Sequence, residues 1–579
     1  MPVHNSEIAD KLNETADLLE IKGENQFRIR AYRGAARTIE SLSQDAAQMT
    51  EAGKDLSELP GIGRDLAGKI KKIVSTGTFP LLDRLHKQVP AGLRDIMKVS
   101  GMGGKRVKKM FEALKVKNID DLKTAARRHE IRELEGFGEK IEQSIIEGIE
   151  RMETAKPRMP IAVVDEIARP LLEYLSREKK VKNIDAAGSY RRRTETVGDL
   201  DILVTCKQGS QIMDRFTKYE NVEKVVSQGN TKSTVLLRSG FQVDLRVLPQ
   251  VSYGSALVYF TGSKAHNVAI RRIALKKKLK MNEYGVFKLP SGRRKKERRI
   301  AGKSEKQVYQ TIDLSYIPPE LRENRGEVEA AKKRKLPKLI ELDDIRGDLH
   351  VHTARTDGKY SLKDMVEAAQ RRGYEYVGVT DHSKKVRVAH GMDKKRLREE
   401  IRAIDKLQKK VKGITILKGI EVDILEDGSL DLPQSVLKDL DFTVCSVHSK
   451  FKLSRKKQTG RVLKAMDNAH FSIFAHPTGR RINEREPYEI DIEEILRGAR
   501  ERNVLVELNA HPHRLDLNDR GCKTAKELGV KIVISTDAHA AGDLDSMRFG
   551  VGQARRGWLE KKDVANTRNL KQLRRLLKR

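Results

Sequence analysis

Three aspartates in the first half of the chain have the spacing of a divalent-metal site. Asp199 and Asp201 lie two apart in GDLDILV, a pattern typical of a β-strand, so both carboxylates point to one face. Asp244 is expected to end a similar strand, FQVDLRV, and a neighbouring strand would add a third carboxylate to that face. Mg²⁺ prefers such oxygen ligands. Two ions held there could activate a hydroxyl and stabilise a leaving pyrophosphate, which is the chemistry of nucleotidyl transfer.

A candidate phosphate-binding segment precedes these acids. Gly188 and Ser189 form a small turn whose N–H groups and hydroxyl could bind a triphosphate, and Arg192 could neutralise its charge. An isolated Asp-x-Asp pair is usually a solvated surface feature. Here the pair stands beside a Gly-Ser turn, an arginine cluster and a second acidic strand, which favours a metal-dependent transferase site.

Histidines and acids in the C-terminal part of the chain follow successive short apolar strands. His350 and His352 could chelate one ion from one strand end, and Glu421 is the expected bridging carboxylate. A single histidine is more often an ordinary core or surface residue. Nine ligand-type residues at strand ends instead indicate a barrel-type centre for two or three ions. The nine are His350, His352, Asp357, His382, Glu421, His448, His476, Asp537 and His539. The histidines that do not fit this pattern are His390, His511 and His513.

The elements around these sites change along the chain. The first 150 residues have the apolar spacing of short helices, with a Gly-x-Gly turn repeated three times. Such a turn exposes the backbone N–H groups of the next helix to a phosphate, although glycine turns also serve as plain connectors. Three copies favour sequence-independent DNA binding, and the turn carbonyls could hold Na⁺ or K⁺. The predicted DNA-binding residues are Gly61, Gly63, Gly101, Gly103, Lys105, Gly136 and Gly138.

Composition limits the class of protein. The chain has 579 residues, a formal charge of +34 and three cysteines without a CxxC pair, which indicates several globular domains in a reducing compartment. No apolar run is long enough to cross a membrane. The basic excess predicts binding to nucleic acid, although it could also be a solvated surface. We expect a cytoplasmic, nucleoid-associated prokaryotic protein.

These motifs together resemble the family X DNA polymerases of the polymerase beta kind, over residues 1 to about 320. The resemblance rests on the order GS, RR, GDLD and VDLR, followed by YFTGSKAHNVAIRRIA. It implies that Asp199, Asp201 and Asp244 are catalytic and carry two Mg²⁺ or Mn²⁺ ions. It also implies nucleotide-binding roles for Arg158, Gly188, Ser189, Arg192, Gly198, Tyr259, Phe260, Gly262, Asn267 and Arg271.

The sequence departs from that family in several places. Val197 replaces a hydroxyl expected beside the triphosphate, Lys264 replaces an acid expected under the base, and Gln242 replaces an arginine expected near the acids. The amino-terminal piece resembles the family's lyase domain, and Lys69 matches its Schiff-base lysine, with Tyr32 as the supporting tyrosine. Lys69 is interpreted equally as a nucleophile and as a phosphate contact.

The C-terminal motifs resemble the polymerase and histidinol phosphatase (PHP) domain, over about residues 344 to 579. The motifs are DLHVHT, YVGVTDHS, ILKGIEVD, FTVCSVHS, FSIFAHP and VISTDAH. The resemblance implies a distorted barrel whose centre of up to three Mn²⁺ or Zn²⁺ ions hydrolyses phosphoesters. Fused to a family X polymerase, such a domain typically removes nucleotides from 3′ ends.

The predicted protein is multidomain, α+β and α/β, with helix-hairpin-helix modules, a nucleotidyltransferase palm and a distorted (β/α)7-type PHP barrel. We expect a monomeric gap-filling DNA repair polymerase that uses dNTPs on gapped or primer-template DNA, with a 3′–5′ exonuclease. AP endonuclease and deoxyribose-phosphate lyase activities are further expectations. The alternatives are a 3′-end phosphoesterase whose polymerase half only grips DNA, and a non-enzymatic DNA-end scaffold. The expected domains are 1–80 lyase-like, 81–155 DNA-binding, 156–250 palm, 251–320 nucleotide selection, 321–343 linker and 344–579 PHP.

Overall fold

The computed structural model describes residues 5–42, 46–51, 53–99, 102–153, 158–206, 209–290 and 297–578. The chain divides into two compact units, Met1–Lys156 and Pro157–Arg579. None of the described helices is long and apolar enough to cross a membrane.

The first unit is helical throughout its described residues, as the apolar spacing predicts. In all three Gly-x-Gly turns the middle residue is buried, namely Ile62, Met102 and Phe137. These side chains anchor each turn to the helical core, and the described glycines Gly61, Gly63, Gly103, Gly136 and Gly138 are exposed. The helices are α1 Asn5–Lys22, α2 Gln26–Ser41, α3 Ala46–Glu51, α4 Arg64–Thr76, α5 Pro80–Gln88, α6 Gly92–Ile96, α7 Gly104–Leu114, α8 Ile119–Arg127 and α9 Glu139–Glu153.

The second unit begins with the palm, a five-stranded sheet in the order β2-β4-β7-β6-β5. Strands β4 and β7 are parallel neighbours at its centre, and the other pairs are antiparallel. Alternating apolar residues of β4 and β7 bury one face, so their polar residues share the other. The elements are β1 Met159–Pro160, α10 Ile161–Ser176, β2 Val181–Ala186, α11 Gly188–Arg191, β3 Thr196–Val197, β4 Leu200–Cys206, α12 Gly209–Thr217, β5 Val222–Gln228, β6 Lys232–Leu237 and β7 Gln242–Val247.

The next subdomain combines helices with a three-stranded antiparallel sheet, β10-β9-β8. The segment 321–343, which the charge pattern predicts to be a linker or hinge, is folded instead. Val328 and Ala331 lie three residues apart on a short helix and are buried in this subdomain's core. The elements are α13 Tyr253–Thr261, α14 Lys264–Lys276, β8 Leu279–Asn282, β9 Gly285–Lys288, β10 Arg298–Ala301, α15 Glu305–Gln310 and α16 Glu327–Lys332.

The C-terminal module is a parallel barrel with seven strand positions. Strands β13 and β14 are separated by Gly419 and Ile420 and act as two halves of one bent strand, because β13 pairs with β12 and β14 pairs with β15. A parallel bridge between Val351 and Ala538 closes the barrel. The strands are β11 Gly347–Val351, β12 Tyr376–Val379, β13 Thr415–Lys418, β14 Glu421–Asp423, β15 Val444–Ser446, β16 Ile473–Phe474, β17 Leu505–Asn509 and β18 Ile532–Ser535.

Helices surround this barrel, as the alternation of strands and helical patterns predicts. The palm and the barrel also share apolar packing, because Ile482, Leu515 and Phe549 of the barrel belong to the palm's hydrophobic core. The fold therefore confirms the expected combination of α+β and α/β architecture. The barrel helices are α17 Leu362–Arg371, α18 Lys394–Gln408, α19 Gln434–Leu437, α20 Arg455–Met466, α21 Ile492–Glu501, α22 Asp519–Leu528, α23 Met547–Arg556 and α24 Leu570–Leu577.

Candidate functional site

The palm strands bring the three predicted acids to one face of the sheet. Asp199 immediately precedes β4, Asp201 lies in β4, and Asp244 is its register partner in the middle of β7 rather than at the end of that strand. Burial, together with the charges of Asp199 and Asp244, raises the pKa of Asp201 to about 7. The electrostatics of this face therefore favour added positive charge.

Cationic side chains supply part of that charge. The Lys232 Nζ lies 3.0 Å and the Arg246 guanidinium 3.7 Å from Asp244 Oδ2. Thr234 donates a hydrogen bond of 2.8 Å to the other oxygen of Asp244, and Gln242 donates one of 3.3 Å. Asp244 is thus held by its sheet neighbours, whereas Asp199 is exposed.

The predicted triphosphate loop lies directly over these acids. Gly188 has φ +63°, which favours glycine, and a Cβ atom there would lie 3.1 Å from Asp201 Oδ2, so little space is left for a side chain. The predicted turn is a short helix, α11. Arg158 donates to Thr196 at 2.7 Å and packs against Gly198, where a Cβ would meet its guanidinium at 2.9 Å.

The predicted sugar and base contacts form a second group next to this loop. Tyr259 and Phe260 pack edge to face with ring centroids 5.0 Å apart. Asn267 donates to the Tyr259 carbonyl at 2.6 Å, and Arg271 donates to the Asn267 carbonyl at 3.2 Å. Gly262 has φ +68° at the end of α13. The predicted nucleotide-binding residues in this group therefore lie on one continuous stretch of α13 and α14.

The barrel gathers all nine predicted ligands. Three groups have ligand atoms within 4.8 Å of one another, and within the described ranges every such group lies in the barrel. The palm aspartates do not form one. The groups are His352, Asp357, His382 and His539; His350, His352 and Asp537; and His382, Glu421 and His448. His476 joins them through a 2.9 Å contact between its Nε2 and Glu421 Oε1.

Glu421 lies at the centre of this cluster. Its carboxylate contacts five imidazoles at 2.8 to 3.6 Å, those of His350, His352, His382, His448 and His476. Burial would raise the pKa of Glu421, but the facing His382, His448 and His350 outweigh burial and hold it well below its usual range. Burial likewise disfavours a charged His382, yet Glu421 and Asp357 raise its pKa to about 10.

Buried atoms without hydrogen-bond partners show that this cluster fits divalent ions. Within the described part of the chain, buried nitrogens of His350, His352, His382 and His476 and the Oε2 of Glu421 make no hydrogen bond. Such atoms are expensive to bury unless something satisfies them. Imidazole and carboxylate donors suit Zn²⁺ or Mn²⁺. His476 and Asp537 also have positive φ values of 27° and 55°, which are uncommon for non-glycine residues.

The structure adds residues around the ligands that the sequence pattern did not indicate. Glu507 is fully buried in β17, accepts from the His350 Nδ1 at 2.7 Å and accepts from the His476 backbone N–H at 2.7 Å. Arg514 approaches Asp537 with its Nε 3.3 Å from Oδ2. The one signal for Glu507 was a charged residue inside the apolar strand run NVLVELNA. His511 and His513 belong to none of the three groups.

A basic cavity of about 890 Å³ opens beside the barrel cluster and includes His448 in its wall. Lys384, Lys385 and Arg387 line it together with the acids Asp423 and Asp431. Val388 in the same loop is 92% exposed, which is unusual for a large apolar side chain. The cavity can therefore admit an anionic group with an apolar part.

The helical unit presents its glycine turns to open space. A Cβ atom added at Gly61, Gly63, Gly103, Gly136 or Gly138 would meet no atom within 4 Å. Gly63 and Gly103 cap α4 and α7, and Lys105 is exposed in the first turn of α7. Gly101 lies outside the described residues. These turns can thus approach a phosphate backbone closely.

Lys69 is held in its charged form. Its Nζ lies 2.5 Å from Asp65 Oδ2 and 5.1 Å from the centre of the Tyr32 ring. Burial lowers the pKa of Lys69, but the hydrogen bond with Asp65 contributes to a net rise above its ordinary value. A charged amine suits a phosphate contact better than nucleophilic attack.

The palm and the barrel have the folds of a nucleotidyltransferase and of a PHP phosphoesterase, carried on one chain. Family models match in the same order: a helix-hairpin-helix domain over residues 3–79, a SAM-like helix-hairpin-helix tandem over 93–151, the DNA polymerase beta thumb over 256–323 and the PHP domain over 348–511.

Relatives cover both the whole chain and the barrel alone. The Bacillus subtilis (strain 168) protein named DNA polymerase/3′-5′ exonuclease PolX is 38% identical over 579 residues, which are 100% of each chain. A probable phosphatase of Thermoanaerobacter sp. (strain X514) is 33% identical over 208 residues, 34% of this chain and 80% of its own. One of Clostridium novyi (strain NT) is 28% identical over 214 residues, 35% of this chain and 83% of its own. The chain belongs to the PolX family of DNA polymerase/3′-5′ exonucleases.

Proposed function

We propose that the chain fills short gaps during DNA repair and that its two centres divide synthesis from 3′-end removal. The observation that carries the polymerase assignment is the register of Asp201 against Asp244 beneath the Gly188 loop. Two Mg²⁺ or Mn²⁺ ions at the three aspartates would supply Lewis acidity to the primer hydroxyl and the leaving pyrophosphate. The carboxylates would hold those ions, and Asp244 would be the acid closest to the primer hydroxyl.

The residues around the acids bind and orient the nucleotide. Ser189, Arg192 and Arg158 hold the triphosphate by hydrogen bonds and charge. Tyr259 and Phe260 pack against the sugar, and Asn267 and Arg271 contact the minor-groove edge of the new base pair. Arg192 donates to the Thr261 carbonyl, next to Gly262. This hydrogen bond links the proposed triphosphate-binding loop to the proposed sugar-binding segment.

The barrel centre performs the 3′–5′ exonuclease reaction. Its nine ligands hold up to three Mn²⁺ or Zn²⁺ ions, which would supply an activated water and neutralise charge on the phosphate. The cavity beside His448 accepts the terminal nucleotide, with Lys384, Lys385 and Arg387 binding its phosphates and Val388 contacting the base. This loop therefore brings the 3′ end to the ligands.

The helical unit holds the duplex through phosphate contacts at its glycine turns, where Na⁺ or K⁺ could bind the turn carbonyls. Lys69 acts as one of the phosphate contacts. Because the chain has a formal charge of +34, its binding to chromosomal DNA should weaken steeply as the salt concentration rises. We propose that the chain works as a monomer on gapped or primer-template DNA.

A gapped duplex labelled on the primer tests both assignments in one reaction. The double variant Asp199→Ala/Asp201→Ala should lose extension and keep degradation, while His350→Ala should do the reverse. Asp214→Asn, an exposed palm acid away from the loop, is the control and should change neither. Extension by the double aspartate variant at the wild-type rate would refute the polymerase site.

A further inference from the structure

Helix α23 of the barrel contacts the palm at the triphosphate loop. Gln553 donates a 2.8 Å hydrogen bond to the Arg193 carbonyl, and Arg556 donates one of 2.9 Å to the Arg192 carbonyl. Both side chains are more than nine-tenths buried. Arg193 has φ +57°, a left-handed conformation that non-glycine residues rarely adopt. The barrel therefore bonds to the loop backbone at this left-handed turn.

Two more contacts hold the same loop from the barrel side. Arg548 of α23 lies 3.0 Å from Asp165, whose other oxygen accepts a 2.6 Å hydrogen bond from Tyr190 in α11. Arg480 of the barrel lies 2.6 Å from Glu195. The barrel thus contacts the Gly188–Gly198 loop directly at Arg192, Arg193 and Glu195, and indirectly at Tyr190 through Asp165.

Arg556 and Arg192 share a carboxylate partner, Glu323. The carboxylate of Glu323 accepts a 3.0 Å hydrogen bond from Arg192 and a 2.9 Å hydrogen bond from Arg556. Asp519 gives Arg556 a second carboxylate partner at 2.8 Å. If Arg192 turns to a triphosphate, Arg556 still neutralises Glu323, so that carboxylate is not left buried without a partner.

We propose that Gln553 and Arg556 are positioning residues for nucleotide binding by the polymerase, so that the barrel serves synthesis as well as 3′-end removal. Gln553 holds the loop backbone, and Arg556 keeps Glu323 from retaining Arg192. The proposal rests on the proposed triphosphate-binding role of this loop. It does not require that the two reactions exchange a substrate.

Steady-state primer extension with full-length variants tests this role. Gln553→Ala should raise the KM for dNTP about three- to tenfold while kcat changes less than about twofold, because one buried hydrogen bond is lost. Arg556→Ala should raise KM about tenfold or more, and Arg556→Lys should be intermediate. Arg555→Ala is the matched control: Arg555 lies on the same helix and pairs with Glu320 and Glu341 instead of the loop. It should leave KM unchanged.

A second substitution separates positioning from general destabilisation. Glu323→Gln added to Arg556→Ala removes the carboxylate that would retain Arg192, and it should lower KM toward the wild-type value. Equilibrium titration with a non-hydrolysable dNTP should show the same order of affinities. Exonuclease rates should stay within about twofold, which also reports that the barrel is folded.

Equal KM values for wild type, Gln553→Ala and Arg556→Ala would overturn the proposal, as would failure of Glu323→Gln to restore nucleotide affinity. Should Arg556→Ala not fold, Gln553→Ala decides alone. These results differ from failure of the proposed polymerase site, in which Asp199→Ala/Asp201→Ala would still extend primers.

Discussion

The two candidate metal centres of this chain differ in the type and in the burial of their ligands. In the palm, three carboxylates share one sheet face, one of them is exposed, and Lys232 and Arg246 balance part of their charge. In the barrel, Glu421 and eight other candidate ligand side chains come together, and most of the nine are buried. The palm is suited to ions that come and go with the nucleotide, whereas the barrel is suited to resident ions. Ligand type and burial, more than ligand number, set this difference.

The largest expected effect is at the centre of the barrel. Glu421→Gln removes the one carboxylate that contacts five imidazoles, so we expect exonuclease activity to fall about 100-fold or more. Bound metal, measured by elemental analysis, should fall with it. Primer extension should change less than about twofold. Retained metal with normal exonuclease activity would show that Glu421 is not the bridging group.

A smaller loss is expected outside the ligand set. Glu507→Gln weakens the acceptor that orients His350, and exonuclease activity should fall about 10- to 100-fold. Because the substitution lowers the affinity for metal, raising the Mn²⁺ concentration should restore part of the exonuclease rate. Glu501→Gln, an exposed acid at the end of α21, is the matched control and should behave as wild type. A loss that Mn²⁺ does not relieve would point to a different role for Glu507.

Chelation should show which of the two centres holds ions that stabilise the folded protein. If the free ion concentration is about 100 times the Kd, removing the ions costs about 2.7 kcal/mol of stability. The melting temperature of a barrel of this size falls by about 2 to 4 °C for each kcal/mol lost. We therefore expect chelator to lower the melting temperature of the wild type by about 5 to 10 °C. Asp199→Ala/Asp201→Ala should keep that shift, and Glu421→Gln should lose most of it. The opposite pattern would make the palm the resident site.

The smallest expected effect concerns the basic side chains beside the palm aspartates. Lys232→Met removes a side chain that competes with divalent ions for Asp244, and a half-exposed ion pair of this kind contributes about 0.2 to 1 kcal/mol. The Mg²⁺ concentration for half-maximal extension should therefore fall about two- to fivefold. Lys224→Met, on an exposed position of β5, serves as the control. An increased Mg²⁺ requirement would mean that Lys232 assists the acids instead of competing with them.

Much of the fold and most ligand positions could be predicted because their signals are local. His350 and His352 share one strand end, and Asp199 and Asp201 share one strand face, so spacing alone brings them together. Glu507 carries no such spacing and was missed. The segment 321–343 was predicted as a linker from its charge, since two apolar residues three apart are too few to show a buried helix face.

The contacts of α23 could not be predicted from the sequence for a different reason. Gln553 and Arg193 lie 360 residues apart, and Gln553 belongs to no motif. Their contact depends on how two complete modules pack together, which no local pattern encodes. Among the described residues, the parts of the candidate site that sequence reasoning missed are of this long-range kind or are single charged residues in apolar strands.

The shared apolar packing of palm and barrel has a consequence for engineering. Because Phe549, Ile482 and Leu515 complete the palm's interior, a chain shortened before the barrel would expose that interior to water. We expect such a shortened protein to aggregate although every polymerase residue is present. In this chain the palm and the barrel therefore share part of one hydrophobic core.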